Sequence, residues 1–141
     1  MKTRLTYHGI VLAKKNRHII SKNGAIIPDT KARANEQDIM NQIASQLEWQ
    51  DAMKSQTERM LEANRNGWKY GIDFKIWAGN AIRRDLDNQT STLLDALVKI
   101  GALPDDSTKF LERISVQHMG IDKHDPHVEI EITRTEAGGT E

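Results

Sequence analysis

The sequence predicts an α+β domain: a small mixed sheet, one long helix and one shorter helix. Three observations carry this. Apolar and β-branched residues recur with strand-like spacing near the N-terminus, at residues 68–77 and in the closing run VEIEITR. Residues 31–66 contain neither Gly nor Pro, and they set Ile39, Ile43 and Leu47 at helical intervals. Strands and helices then follow one another without the regular βαβ alternation of a doubly wound sheet.

Taken in order, residues 4–12 hold Leu5, Tyr7, Ile10, Val11 and Leu12 in loose alternation and predict a first strand. The pairs Ile19-Ile20 and Ile26-Ile27 flank SKNGA. Asn-Gly favours the positive φ angles of a tight turn, so a hairpin turning at Asn23-Gly24 and stopped by Pro28 is expected. Residues 31–66 give one long amphipathic helix, or two broken near Trp49, with Met53, Met60 and Leu61 further along. Asn66-Gly67 supplies a C-terminal stop. Residues 68–77, WKYGIDFKIW, read as a strand, and Gly79-Asn80 turns the chain. Leu93, Leu94, Leu97, Val98 and Ile100 mark a helix over residues 88–100, with Gly101 in place to cap it. Residues 110–119 and 128–134 give the last two strands, joined by the loop GIDKHDPH. One domain over residues 1–135 and a frayed tail at 136–141 are expected.

Composition narrows the class. A chain of 141 residues can bury a real core without staples, and it has no cysteine, so disulfides and thiolate zinc sites are excluded. No apolar run approaches the ~20 residues of a membrane helix, and the N-terminus lacks the apolar core of a secretory signal. A cytoplasmic protein that does not enter membranes is expected. Net charge is zero but unevenly spread. Residues 1–34 carry eight Lys or Arg and one acid, whereas residues 120–141 carry six acids and two bases. A basic N-terminal section is the electrostatic footprint of a nucleic-acid partner, or else a solvated face.

The chemistry concentrates in residues 82–106, IRRDLDNQTSTLLDALVKIGALPDD. Asp85, Asp87 and Asn88 precede the helix, Asp105 and Asp106 follow it, and Arg83 and Arg84 lead in. Each acidic group has an ordinary role: an N-cap for the first, a turn for the second. Together they exceed what caps and turns need. Carboxylates that converge require a cation, and hard oxygen donors suit Mg²⁺ or Mn²⁺, with the arginines placed to hold phosphates. The spacing permits convergence without forcing it. The helix from Asp87 to Ile100 spans roughly 20 Å, and the six steps onward to Asp106 reach back about 20 Å at most. Otherwise the cluster must be closed by a tertiary shift or by a second subunit.

The run RRDLDN…LLDALVKIGALPDDS resembles the RusA family of Holliday junction resolvases: Asp-x-Asp-Asn, a helix containing Asp-Ala-Leu, a Gly and a paired Asp, without a gap. A first strand, the basic segment Lys14, Lys15, Asn16 and Arg17, a short hairpin and a long helix extend the likeness over nearly the whole chain. The resemblance implies a homodimeric α+β endodeoxyribonuclease that uses Mg²⁺ to nick four-way DNA junctions symmetrically. The family's catalytic, metal-binding carboxylates fall on Asp85, Asp87 and Asp106. Lys14, Lys15, Asn16, Arg17, Arg83 and Arg84 are the expected DNA contacts, and Asn88, Asp95 and Asp105 supporting residues. There is one departure: Ser91 stands where the family usually has a lysine, four residues after the second Asp. Lys75, Lys14 or Lys15 are alternative sources of that charge. A catalytically weak or inactive junction-binding homologue is the second expectation.

His118, His124 and His127 lack supporting cysteines and are not expected to bind zinc. Trp49, Trp68 and Trp77 could stack on unpaired bases, but packing is the expected role.

Overall fold

The computed structural model describes residues 2–12, 18–20, 24, 26–28, 30–47, 55–81 and 84–136. In chain order these form β1 (Lys2–His8), β2 (His18–Ile20), β3 (Ile26–Pro28), α1 (Thr30–Ala44), α2 (Gln56–Asn66), β4 (Lys69–Ala78), α3 (Leu86–Lys99), β5 (Leu111–Ile121) and β6 (His127–Thr135). The α+β class is as predicted. The 31–66 stretch supplies two helices, and residues 48–54 around Trp49 lie outside the described residues. The expected hairpin is present as β2–β3, antiparallel with Ile19 opposite Ile27; Asn23 also lies outside the described residues.

One four-stranded mixed sheet runs in the order β1-β6-β4-β5. Strand β6 joins β1 and β4 antiparallel, with Leu5 opposite Ile130 and Ile72 opposite Ile132. Strand β5 lies parallel to β4. A parallel neighbour needs a crossover, and α3 supplies it between the two strands. The order of elements lacks regular βαβ alternation, and this single unit is the part of that pattern the fold contains.

Alternation fixes which face is buried. Leu5 and Tyr7 of β1, Ile72, Phe74 and Ile76 of β4, and Val128, Ile130 and Ile132 of β6 point into the core. They meet Ile39 and Ile43 of α1 and Leu93, Ala96 and Leu97 of α3. The predicted apolar face of α1 is thus a core face, while Leu61 of α2 is largely exposed. The two helices α1 and α3 are tied by Lys99 Nζ to Glu36 Oε1 at 2.6 Å. The opposite face of the sheet is polar, and Arg4, Thr6, Asp73, Lys75 and Glu129 line a shallow depression on it.

Helix ends follow the sequence signals. Ser55 caps α2, and Gly67 closes it in the left-handed region at φ 66°. After α3, Gly101 takes φ 78°, and the N–H of Ala102 donates to the carbonyl of Leu97 at 2.9 Å. That reversal is what Gly101 permits and a side chain would strain.

The two edges of the sheet differ. At β1, Gln46 and Gln42 of α1 act as a substitute strand. Gln46 accepts from Thr6 N at 2.8 Å and donates to Thr6 O at 2.6 Å. Gln42 accepts from His8 N at 2.8 Å and donates to His8 O at 2.9 Å. Among the described residues nothing comparable bonds to the outer edge of β5.

Candidate active site

Asp85 is the N-cap of α3, and its Oδ1 accepts from the Asp87 N–H at 2.9 Å. The ordinary capping role is therefore real for Asp85. It does not use Asp87, which lies exposed in the first turn. Two carboxylates two residues apart stand at the positive end of the helix dipole, which favours negative charge there. Asn88 follows, half-buried, its carbonyl accepting from Thr92 Oγ1 at 3.2 Å. Ser91 lies half-buried one turn beyond Asp87, and Asp95 half-buried one turn beyond that. Arg84 Nη1 donates to Asn80 Oδ1 at 3.1 Å.

The pair sits at the end of the sheet where β4 finishes. Arg84 and Leu86 line a groove of about 460 Å³ together with Ile76, Ala78, His118 and Ile121. The first half of α3 is held there by buried polar contacts. Gln89 Nε2 donates to Val11 O at 3.2 Å, and Thr92 Oγ1 to Leu12 O at 3.0 Å. Leu12 is where the chain leaves for the basic segment. Lys14, Lys15, Asn16, Arg17 and Arg83 themselves lie outside the described residues.

Asp106 lies elsewhere in the chain. After α3 the chain reverses at Gly101, buries Leu103, and offers the Pro104 carbonyl to Gln56 Nε2 of α2. It does not run back along the helix. Phe110 O accepts from Tyr70 N at 2.7 Å, which fixes this segment at the start of β4. Asp106 is four residues before Phe110, a reach of about 14 Å at most, whereas Tyr70 to Ala78 spans roughly 27 Å. Asp106 is therefore brought to the opposite end of α3 from Asp85 and Asp87. It is exposed there, beside a half-buried Asp105.

Lys75 also stays apart. It alternates with the inward-facing Phe74 and Ile76, and so lies on the polar face of the sheet, away from α3. The fold does not offer it to the acidic pair.

One constellation went unread in the sequence. Asp122, Asp125 and His127 place ligand atoms within 4.8 Å of one another, the one such group among the described residues that could hold a metal ion. His8 joins from β1, its Nδ1 2.9 Å from Asp125 Oδ1. His127 is stacked on Trp77 with ring centroids 4.4 Å apart, so Trp77 has a packing role. The loop GIDKHDPH contains the acids, but no sequence spacing announces that His8 returns to them. His118 and His124 lie outside this group. Trp68 packs under Arg134, whose Cζ is 3.7 Å from the ring centroid.

No helix of the described residues is long and apolar enough to cross a membrane. A comparison with curated proteins returns no match. A comparison with protein families does: the family described as endodeoxyribonuclease RusA matches residues 9–133, which take in every element from β2 to α3 as well as β5. That span covers most of the 141-residue chain, and the chain belongs to the RusA endodeoxyribonuclease family.

Proposed function

We propose that this protein is a divalent-metal-dependent endonuclease that resolves four-way DNA junctions by paired symmetric nicks. Asp85 and Asp87 of one protomer and Asp106 of the partner subunit are the proposed metal ligands. The observation that carries this is the pairing of family membership with two carboxylates at the exposed mouth of α3. Their oxygen donors fit Mg²⁺, with Mn²⁺ as a substitute. When bound, such an ion activates water and neutralises charge on the phosphodiester.

The residues of the chain supply the rest. Asp85 anchors the cap and fixes the direction of Asp87. Arg84, next to the cap, is placed to engage a flanking phosphate. The basic residues Lys14, Lys15 and Arg17 follow Leu12, which is bonded to α3 within two turns of Asp87. On this reading Arg84 and the basic segment that follows Leu12 are the cationic partners of the phosphates on a bound strand. Two identical sites in a homodimer suit the two-fold symmetry of a four-way junction.

The test is a synthetic four-way junction with purified protein and Mg²⁺. Paired nicks at symmetric positions are expected, falling about a hundredfold or more in Asp87→Asn. Nicking that survives that change intact would remove the assigned site.

Ser91 favours a second reading, a junction-binding homologue that does not cut. No lysine stands one turn beyond Asp87, and Lys75 faces away from α3. On this reading the protein binds junctions with a steep salt dependence and leaves them whole, and Ser91→Lys restores nicking. Efficient cutting by the unaltered protein excludes it.

A further inference from the structure

A second set of donors stands at the end of the sheet where β4 finishes, on the face away from α3. His8, Trp77 and His127 alternate with the buried Tyr7, Ile76 and Val128, so they lie on the polar side of the sheet. Register sets His8 directly opposite His127. The loop between β5 and β6 is pinned beside them at both ends. The Asp122 N–H donates to Ala78 O at 2.7 Å, and the Gly9 N–H donates to Pro126 O at 2.7 Å.

The side chains of this loop converge on the histidines. Asp122, Asp125 and His127 each place a ligand atom within 4.8 Å of the others. Atoms so spaced share a point at most about 2.8 Å from each, whereas a Zn–N or Zn–O bond is about 2.0–2.2 Å. The closure left to side-chain rotation is thus under about 1 Å. Asp125 joins the two histidines: its Oδ1 is 2.9 Å from His8 Nδ1, and its Oδ2 is 3.8 Å from His127 Nδ1. Asp122 Oδ1 accepts from the backbone N–H groups of His124 and Asp125 at 3.3 and 3.1 Å. Both bonds use Oδ1, so Oδ2 is left to a cation.

These four residues are not a patch of solvated acids. Half of them are histidines, and the His127 side chain is only 15% exposed, stacked on Trp77. Among the described residues no Lys or Arg forms an ion pair with Asp122 or Asp125. Two carboxylates this close favour a shared positive partner. One imidazole nitrogen with two carboxylate oxygens suits Zn²⁺, whereas Mg²⁺ prefers oxygen donors alone. The all-oxygen pair Asp85 and Asp87 and this mixed set therefore select different ions.

We propose that Asp122, Asp125 and His127 form a zinc site separate from the proposed nuclease site, with His8 orienting Asp125 from the neighbouring strand. The ion ties the β5–β6 loop to the paired ends of β1 and β6, and its binding free energy adds to the stability of the fold.

The test uses the full chain, stripped of metal with a chelator and carrying Asp85→Asn and Asp87→Asn, so that the acidic pair contributes nothing. Zinc chloride is titrated by calorimetry in millimolar Mg²⁺. A single zinc per chain is expected, and it should raise the midpoint of thermal unfolding. Adding Asp122→Asn or Asp125→Asn should weaken binding about tenfold or more. Asn at 122 keeps the Oδ1 acceptor of the turn, so that loss reports the ligand and not the loop. An unchanged affinity in His8→Gln removes the orienting role. Ring NMR signals of the otherwise unsubstituted chain identify the nitrogen donor: those of His127 should move on zinc addition, and those of His118 should not. No zinc binding, or binding that both Asn variants leave intact, overturns the proposal. Zinc bound by the unaltered chain but not by the Asp85→Asn, Asp87→Asn chain belongs to the acidic pair and overturns it too. Junction nicking is read at no step, so the nuclease reading stands or falls separately.

Discussion

Strands β1 and β5 close the same sheet and are treated in opposite ways. The first is covered by α1, whose Gln42 and Gln46 amides repeat the hydrogen-bond pattern of a neighbouring strand. The second keeps Ile114, Met119 and Ile121 in view and pairs as a strand only with β4 among the described residues. A chain that can seal one edge with two glutamines does not lack the means to seal the other. The difference teaches that an open edge is read best against a sealed one in the same molecule.

The largest effect is expected from closing the open edge. Met119→Glu combined with Ile121→Glu puts charge on β5 without touching the core. For the proposed homodimer joined along this edge, sedimentation should show monomers, and junction nicking should fall about a hundredfold or more as each site loses its third carboxylate. A dimeric, active double variant would break the contrast. Opening the sealed edge is the converse. Gln42→Ala with Gln46→Ala strips the amide partners from Thr6 and His8, at a cost of about 2 kcal/mol in urea unfolding. Self-association that rises with concentration should accompany it. An unchanged midpoint would mean that water serves β1 as well as glutamine does.

A smaller effect separates two neighbours at the site. Asp85→Ala removes the cap as well as a proposed ligand, so it should lower stability by about 1 kcal/mol in addition to abolishing nicking. Asp87→Asn should lose the nicking alone, and thermal unfolding of the two variants distinguishes them. The last effect appears only in alkali. Burial, reinforced by nearby Asp38, pushes the Tyr7 phenol up to about 12 from 10.0. The fold favours the neutral phenol, so this stability is fully present below pH 10. It is lost as the pH rises from 10 toward 12, because the unfolded chain ionises first. Burial also raises Tyr70, and the chain has only two tyrosines. Absorbance at 295 nm should therefore show little phenolate at pH 10 until the protein unfolds.

Much of this architecture was legible from local pattern. Alternation located β1 and β6, aromatic and β-branched composition located β4, Asn-Gly located the hairpin, and Gly101 marked the end of α3, because each signal is carried by neighbouring residues. The acidic pair before α3 was equally plain. What stayed hidden depends on residues distant in sequence. Nothing near Gln42 or Gln46 distinguishes them from any polar helix face, since their role exists only where α1 crosses β1. The parallel placement of β5 was invisible for the same reason, and with it the end of the molecule to which Asp106 is carried. The distance from Asp87 along the chain left both outcomes open; the contact of Tyr70 with Phe110 decided between them. His8 and Asp125 were likewise joined only by the pairing of β1 with β6.

That pairing also sets the order of assembly. Strand β6 lies between β1 and β4, and Lys2 finds its partner in Thr133. The first strand thus waits for the last one in sequence before the sheet can close. Contacts this remote slow folding, because loop entropy is lost before they return anything. A chain ending at Ile121 would keep β4 and β5 together but leave β1 without a neighbour in the sheet. The same β6 that makes the sheet continuous therefore acts as its final clasp, and a growing chain would carry β1 unpaired until β6 has been made.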